Sequence, residues 1–270
     1  MAPRQDGSPR TLKTVERCAR ILDVLEALDG AGVTEVASHL DISKSTTYQY
    51  LATLRQQHLV VKKGDRYELG LQFLLTGEYV RNRNRLYRYG KEEVETLAES
   101  TGEYANLFTE QHGMGINLYK VRGSDAVGSG YQTEKLQRPD HLHCTATGKA
   151  ILAHLPEERV DEIVDQHGLP AQTVNTITDR AELKAELDVV RDRGFAYNDE
   201  EEVEGLRAVG AAVIDRNENV LGSLSVAGPT SRLKGKQFED ELPEAVLSAA
   251  NLIEVNVNMA THGDDPTGRG

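Results

Sequence analysis

The segment between Thr34 and Leu69 constrains this chain most. Val36, Ala37 and Leu40 share one face of a short helix that Thr34 can cap. Asp41 and Ile42 leave room only for a tight turn. Ser43 then caps a helix whose inward face is Thr47, Leu51 and Leu54. Upstream, Val15, Cys18, Ile21, Leu22, Leu25 and Leu28 recur at helical spacing, and Gly30 and Gly32 end that helix. Downstream, two short apolar/polar runs over 59–63 and 66–69 flank Gly64-Asp65, a hairpin signal. Three helices with a tight second turn and then a hairpin make a winged helix-turn-helix over residues 11–70. A generic three-helix bundle is the alternative, but it does not call for the hairpin.

The charge divides with the same boundary. The 270 residues carry a net charge of −12, which taken whole argues against binding nucleic acid. Residues 1–90, however, hold 14 Lys and Arg against 10 Asp and Glu, while residues 91–270 hold 17 against 33. A weakly basic first third and a strongly acidic remainder suggest two domains with two tasks, with DNA contacts confined to about residues 10–70. No stretch approaches the roughly 18 apolar residues of a membrane span. The N-terminus has no apolar run behind its basic residues, so a secretory signal is not expected. Two cysteines, Cys18 and Cys144, make no disulfide framework, and a cytoplasmic location is the expectation.

Beyond the hairpin, residues 71–90 read as a linker helix rich in Arg, with another helix over 92–100. Strands are expected at 104–111, 115–121 and 126–131, helices at 141–155, 156–167 and 180–193. Strands return at 195–198, 206–214 and 220–226, and a helix spans 243–259. The fold class is α+β: the winged helix-turn-helix, the linker helix, and an α/β domain over 91–260 around a mostly antiparallel sheet. Residues 1–10 and 261–270 read as a disordered arm and tail.

The recognition helix needs short polar or amide side chains at its first turns, able to meet base edges in the major groove. Ser43, Lys44, Ser45, Thr46, Tyr48 and Gln49 lie off its buried face. Gln49 can pair bidentately with adenine, and the hydroxyls can bond phosphates. Lys62, Lys63 and Arg66 on the wing can reach the flanking backbone, and Arg10, Lys13 and Arg17 can do so from the other side. In the acidic domain, Gly148 within Thr145-Ala146-Thr147-Gly148-Lys149 sits at a loop-to-helix entry whose backbone N–H groups suit a carboxylate.

Three sharper readings have less support than the plain ones. His141, His143 and Cys144 could bind zinc with a fourth ligand such as His112 or His154, but the cluster lacks a second half at regular spacing. No metal or other cofactor is expected. Cys144 beside His143 is poorly placed for a nucleophile–base pair, so no catalytic residue is expected. The run Asp199-Glu200-Glu201-Glu202 reads as a solvated loop rather than a metal site.

Four colinear stretches make the chain resemble the IclR-type transcription regulators. They are Asp41 to Tyr48; Arg66-Tyr67-Glu68-Leu69-Gly70; His143 to Ala153; and Gly194 through Gly205-Leu206-Arg207-Ala208-Val209-Gly210 to Gly228-Pro229. The resemblance implies a homodimer or dimer of dimers on a double-stranded DNA operator, with a small-molecule effector bound by the C-terminal domain. It places the effector pocket at Ala146, Thr147, Asn198, Ala208, Ser225 and Ala227, and implies that Thr147, Asn198 and Ser225 converge on one small cavity. The family commonly has an acidic residue near Asn198, Cys at Ala208 and Ser at Ala227, so this pocket differs in polarity. The expected function is therefore regulation of a catabolic pathway in response to a small organic or sugar-derived acid. The rival is a metabolite-binding or catalytic protein with a vestigial helix-turn-helix.

Overall fold

The computed structural model describes residues 11–128 and 138–260. The expected arm, tail and residues 129–131 of one expected strand lie outside them; residues 126–128 form no strand. The chain divides into two compact units, one ending at Val80 and one starting at Arg81.

The first unit runs α1 (Lys13–Ala27), β1 (Ala31–Gly32), α2 (Val33–Leu40), α3 (Lys44–Gln56), β2 (Val60–Lys63) and β3 (Arg66–Leu69) into α4 (Gln72–Arg83). Its core gathers Ile21 and Leu25, Val36 and Leu40, Leu51 and Leu54, and Val60 and Tyr67 around the helices and hairpin. Asp41 takes the left-handed conformation, φ 51°, to turn between α2 and α3, a conformation Asp tolerates better than most residues. Ser43 caps α3 by accepting the Thr46 N–H at 3.1 Å, and buried Thr47 donates back to the Ser43 carbonyl.

Three details depart from the sequence reading. Gly32, not Thr34, stands at the N-terminus of α2, and its N–H is taken by the Glu35 carboxylate at 2.8 Å. Gly32 is also held there because Ala31 and Gly32 pair with Tyr67 and Arg66, adding a third strand to the wing in the order β1-β3-β2. Val15 is 63% exposed and belongs to no core.

The stretch expected as one linker helix is two. Asn84 adopts an extended conformation and accepts the Tyr87 N–H at 3.3 Å, ending α4 and capping α5 (Arg85–Thr101). Asn satisfies one of the orphan donors of a helix start, so it divides the run where periodicity alone would continue it. The helix expected over 92–100 is the second half of α5.

The second unit continues with β4 (Tyr104–Gln111), β5 (Met114–Arg122), a 3-10 turn at Leu142–Cys144, α6 (Ala146–Leu152), α7 (Glu157–His167) and α8 (Arg180–Arg193). Then come β6 (Ala196–Asp199), β7 (Leu206–Ile214), β8 (Val220–Pro229), a π turn at Gln237–Glu241 and α9 (Leu242–Ala260). The expected helix over 141–155 is thus a 3-10 turn and a short α-helix, because Thr145 is extended and caps α6 by accepting the Gly148 N–H.

The five strands form one antiparallel sheet in the order β5-β4-β8-β7-β6. Its two faces bury different helices. Leu107, Val209, Ala211, Val213, Leu224 and Val226 pack against Leu86 and Val94 of α5 and Val246 and Ile253 of α9. Phe108 and Ala212 face the opposite way, toward Ile151 of α6, Ile163 of α7 and Leu187 of α8. The period of two along β7 and β8 therefore sends alternate residues to opposite layers. Among the described residues no helix is long and apolar enough to cross a membrane.

Candidate functional site

The first unit presents the start of α3 to solvent. Ser43, Lys44, Ser45, Tyr48 and Gln49 are exposed and Thr46 is half-buried. Thr46 is engaged locally: its hydroxyl lies 2.8 Å from that of Ser43. A polar, exposed first turn of this kind can enter a major groove.

The wing is less free than its charge suggests. Arg66 bonds the Gly30 carbonyl and reaches Glu35 at 3.1 Å, so it ties the wing to α2. Lys63 pairs with Glu68 at 2.6 Å, and Lys62 lies over the Tyr67 ring. All three remain exposed at the surface, where such pairs are weak enough to be exchanged for phosphate. Lys13 and Arg17 are exposed on α1, and Arg10 lies outside the described residues.

In the second unit the sheet face toward α6 carries the second candidate site. Register places Asn106 beside Ser225 and Lys120, and Ala208 between Ala227 and Asn198. These positions sit two apart along their strands and so share a face. They line one cavity with Thr145, Ala146, Thr147, Glu202 and Leu206. Thr147, Asn198 and Ser225 thus come together, as do Ala146, Ala208 and Ala227. The cavity encloses about 20 Å³, room for roughly one water.

Gly148 does not line it. Its N–H is already taken by Thr145 Oγ1 at 3.0 Å, so it is not offered to an anion. A Cβ at Gly148 would lie 2.2 Å from the Leu142 carbonyl oxygen, so the glycine serves close packing of α6 on the 3-10 turn. Gly210 does the same from below, where a Cβ would come 2.9 Å from the Ala146 backbone. These two glycines let α6 lie directly on the sheet and bring Thr147 into the cavity. Ser223 donates to the Thr147 carbonyl at 3.0 Å and fixes that approach.

Hydrogen bonds orient the polar lining. Ser225 donates to Asn106 Oδ1 at 2.6 Å, and Asn106 Nδ2 donates to Asn117 at 3.0 Å. Asn198 accepts the Glu201 N–H at 2.9 Å, which turns its Nδ2 toward Glu202 at 3.5 Å.

The acid-rich run is a solvated loop only in part: Asp199 and Glu204 are exposed, but Glu201 turns inward. Glu201 is buried and pairs with Lys149, itself 2% exposed, at 2.5 Å; Glu186 lies 3.5 Å from the same ammonium. Burial pushes the Glu201 carboxyl up, and Lys149 opposes that shift. Thr173 and Thr176 donate to the Glu200 and Glu201 carbonyls, each at 2.6 Å, and Asp199 holds Arg207 at 2.5 Å. Sequence reasoning took a run of consecutive acids for a surface and missed that Lys149, on a helix buried along its whole length, requires a partner.

His143 is buried with Nε2 3.2 Å from the Pro170 carbonyl oxygen, and burial holds its imidazole below the usual range. His141 stacks edge-on against it, and the Cys144 thiol lies 3.6 Å from the His141 carbonyl. Among the described residues no group of three or more His, Cys, Asp or Glu is arranged to hold a metal ion.

The model of the IclR helix-turn-helix domain matches residues 14–64, and that of the bacterial transcriptional regulator IclR C-terminal domain matches 79–255. The chain is 38% identical over 256 residues to the "Probable HTH-type transcriptional regulator ArcR" of Halobacterium salinarum, covering 94% of this chain and 97% of that one. It is 31% identical over 251 residues to the HTH-type transcriptional regulator KdgR of Dickeya chrysanthemi, covering 92% and 81%. The crystal structure of the Thermotoga maritima IclR shares the fold, with a TM-score of 0.72 at 26% identity over 92% of this chain and 99% of that one.

Proposed function

This chain belongs to the IclR family, whose members are DNA-binding transcription regulators rather than enzymes, and from that premise we propose that it regulates a catabolic pathway in response to a small organic or sugar-derived acid. The observation that carries the sensing role is the convergence of Thr147, Asn198 and Ser225 on one cavity. A small concave site with apolar walls and a few oriented polar groups is the usual form of an effector pocket, and Ala208 and Ala227 supply that wall. A cavity of about 20 Å³ is too small for such an acid. The effector therefore selects a wider state, and that difference in affinity is what couples binding to DNA.

The protein acts in the cytoplasm as a homodimer or dimer of dimers on a palindromic operator. Supporting assembly, α4 buries none of its residues, and Leu71, Leu74, Leu75 and Val80 are more than half exposed. A contiguous apolar surface of this kind marks an interaction site. Ser43, Lys44, Ser45, Thr46, Tyr48 and Gln49 read the operator, and Lys62 and Lys63 with Arg66 steady the wing on the flanking backbone.

Footprinting of the full chain on genomic fragments at controlled salt tests this reading. Lys44→Ala with Gln49→Ala is expected to weaken specific binding by about 1–3 kcal/mol for the base contact and to flatten the salt dependence by one phosphate. An unchanged footprint refutes the recognition-helix assignment. Absence of any specific DNA binding favours a metabolite-binding protein with a vestigial helix-turn-helix.

A further inference from the structure

We propose that residues 200–205, the connection from β6 to β7, form a hinged flap whose opening widens the cavity and admits the effector. The inference rests on the effector-sensing reading above and names the part that moves. A cavity of about 20 Å³ has no room for an organic acid, so part of its lining has to give way. The floor is the five-stranded sheet. The start of α6 is pinned by the close backbone approaches at Gly148 and Gly210 and by the Ser223 bond to the Thr147 carbonyl. Among the described residues, the one lining position outside the sheet and the entry to α6 is Glu202.

The segment around Glu202 is built to move as a unit. Both its ends turn in the left-handed region, Glu200 at φ 61° and Gly205 at φ 79°. Glu200 pays for that conformation as a non-glycine residue, so the closed backbone is not at rest. The neck stays with the sheet: the Glu200 N–H donates to the Leu206 carbonyl at 3.0 Å, and the Thr230 N–H to the Gly205 carbonyl at 2.9 Å. Within the segment, the Gly205 N–H donates to Glu200 Oε2 at 2.7 Å and ties its two ends together. The segment can therefore swing about its ends while β6 and β7 keep their register. What holds it shut is a set of side-chain bonds. The Thr173 and Thr176 hydroxyls donate to the Glu200 and Glu201 carbonyls, Lys149 donates to Glu201, and Asn198 accepts the Glu201 N–H. The latch is incomplete, since buried Glu201 Oε2 has no hydrogen-bond partner, and such a group weakens the state that buries it. Asn198 also lines the cavity, so a ligand donor that bonds its oxygen replaces the Glu201 N–H and favours the open flap.

The test uses the full-length protein carrying Ala208→Cys, which puts a thiol in the cavity. N-ethylmaleimide needs more room than about 20 Å³, so it labels that thiol only when the cavity opens. Mass spectrometry of its peptide separates the introduced thiol from Cys18 and Cys144. Labelling is expected to be slow in this parent. It is expected to be about tenfold faster with Thr173→Val and Thr176→Val added, which remove both hydroxyl anchors. Thr173→Ser with Thr176→Ser keeps the anchors and is expected to label at the parent rate. A Cβ at Gly205 meets no atom within 4 Å, so Gly205→Ala strains only the hinge, and a rise of roughly fivefold is expected. Ser223→Ala loosens α6 instead and is expected to leave the rate unchanged. Melting of each variant without reagent checks that it folds, and Gly205→Ala decides where the valine pair does not. A parent thiol labelled as fast as a free one overturns the flap. So does a rate that neither the valine pair nor Gly205→Ala moves, or one that Ser223→Ala raises as much as they do. Operator footprinting is read separately, so an intact footprint beside any of these results sinks the flap and leaves the regulator standing.

Discussion

Lys149→Met removes the cation from a pair that solvent does not reach. The ammonium lies 2.5 Å from Glu201 and 3.5 Å from Glu186, and the Lys149 and Glu201 side chains are 2% and 9% exposed. No surface discount applies at that depth. Methionine replaces most of the lysine stem, so the loss is electrostatic rather than a cavity. Glu201 Oε2 has no hydrogen-bond partner, so little else compensates the carboxylate. Breaking one partner of a buried pair costs about 3–5 kcal/mol. The urea midpoint of the second unit is expected to fall accordingly, with the slope unchanged. Lys149→Met combined with Glu201→Leu is expected to recover most of the loss, because it removes the stranded charge as well. The pH dependence has a fixed sign. Burial raises the Glu201 carboxyl above its ordinary 4.5, and losing Lys149 raises it further. The folded variant then holds a proton that the unfolded chain has released, so its deficit grows as pH rises through the raised value and shrinks toward pH 4.5. A deficit under about 1 kcal/mol, or one equal at acid and neutral pH, refutes the reasoning.

Ser225→Ala deletes the 2.6 Å bond to Asn106 and is expected to weaken the effector response roughly 5- to 150-fold, from a loss of about 1–3 kcal/mol; an unchanged titration removes Ser225 from the site. Gly210→Ala puts a Cβ 2.9 Å from the Ala146 backbone and is expected to cost about 1–3 kcal/mol by forcing α6 off the sheet, read in the same denaturation curve. His143 is buried neutral with its pKa held down by burial, so its contribution to stability is lost as pH falls below about 6.5, where the unfolded chain takes up the proton first. His143→Asn is expected to flatten that acid-side slope, and a slope identical to the native one counts against the assignment.

Much of the fold is legible in the sequence because local signals agree with the tertiary outcome. Ser43 opens α3, Gly194 closes α8, and β4 and β7 span the ranges expected of them, 104–111 and 206–214. The losses occur where a partner distant in sequence decides. Ala31 and Gly32 become a strand only because β3 lies beside them. Asn84 divides a periodic run by capping rather than by breaking the pattern. Glu201 is drawn inside by a lysine 52 residues away. The cavity was half legible. Ala146, Thr147, Asn198, Ala208, Ser225 and Ala227 were recoverable from the family resemblance, whereas Asn106, Lys120 and Glu202 depend on strand order. Asn106 alone left a trace, as the polar residue in the buried run Tyr104 to Phe108.

The alternation along β7 and β8 has an evolutionary corollary. Positions 209, 211 and 213 are tied to α5 and α9, while 208 faces the cavity from the opposite side of the same backbone. Substitutions on the two faces share no partners, so their effects combine nearly additively. A lineage can therefore exchange a cysteine for Ala208 or a serine for Ala227 one mutation at a time, changing the polarity of the cavity while the structural layer behind the sheet stays under its own selection.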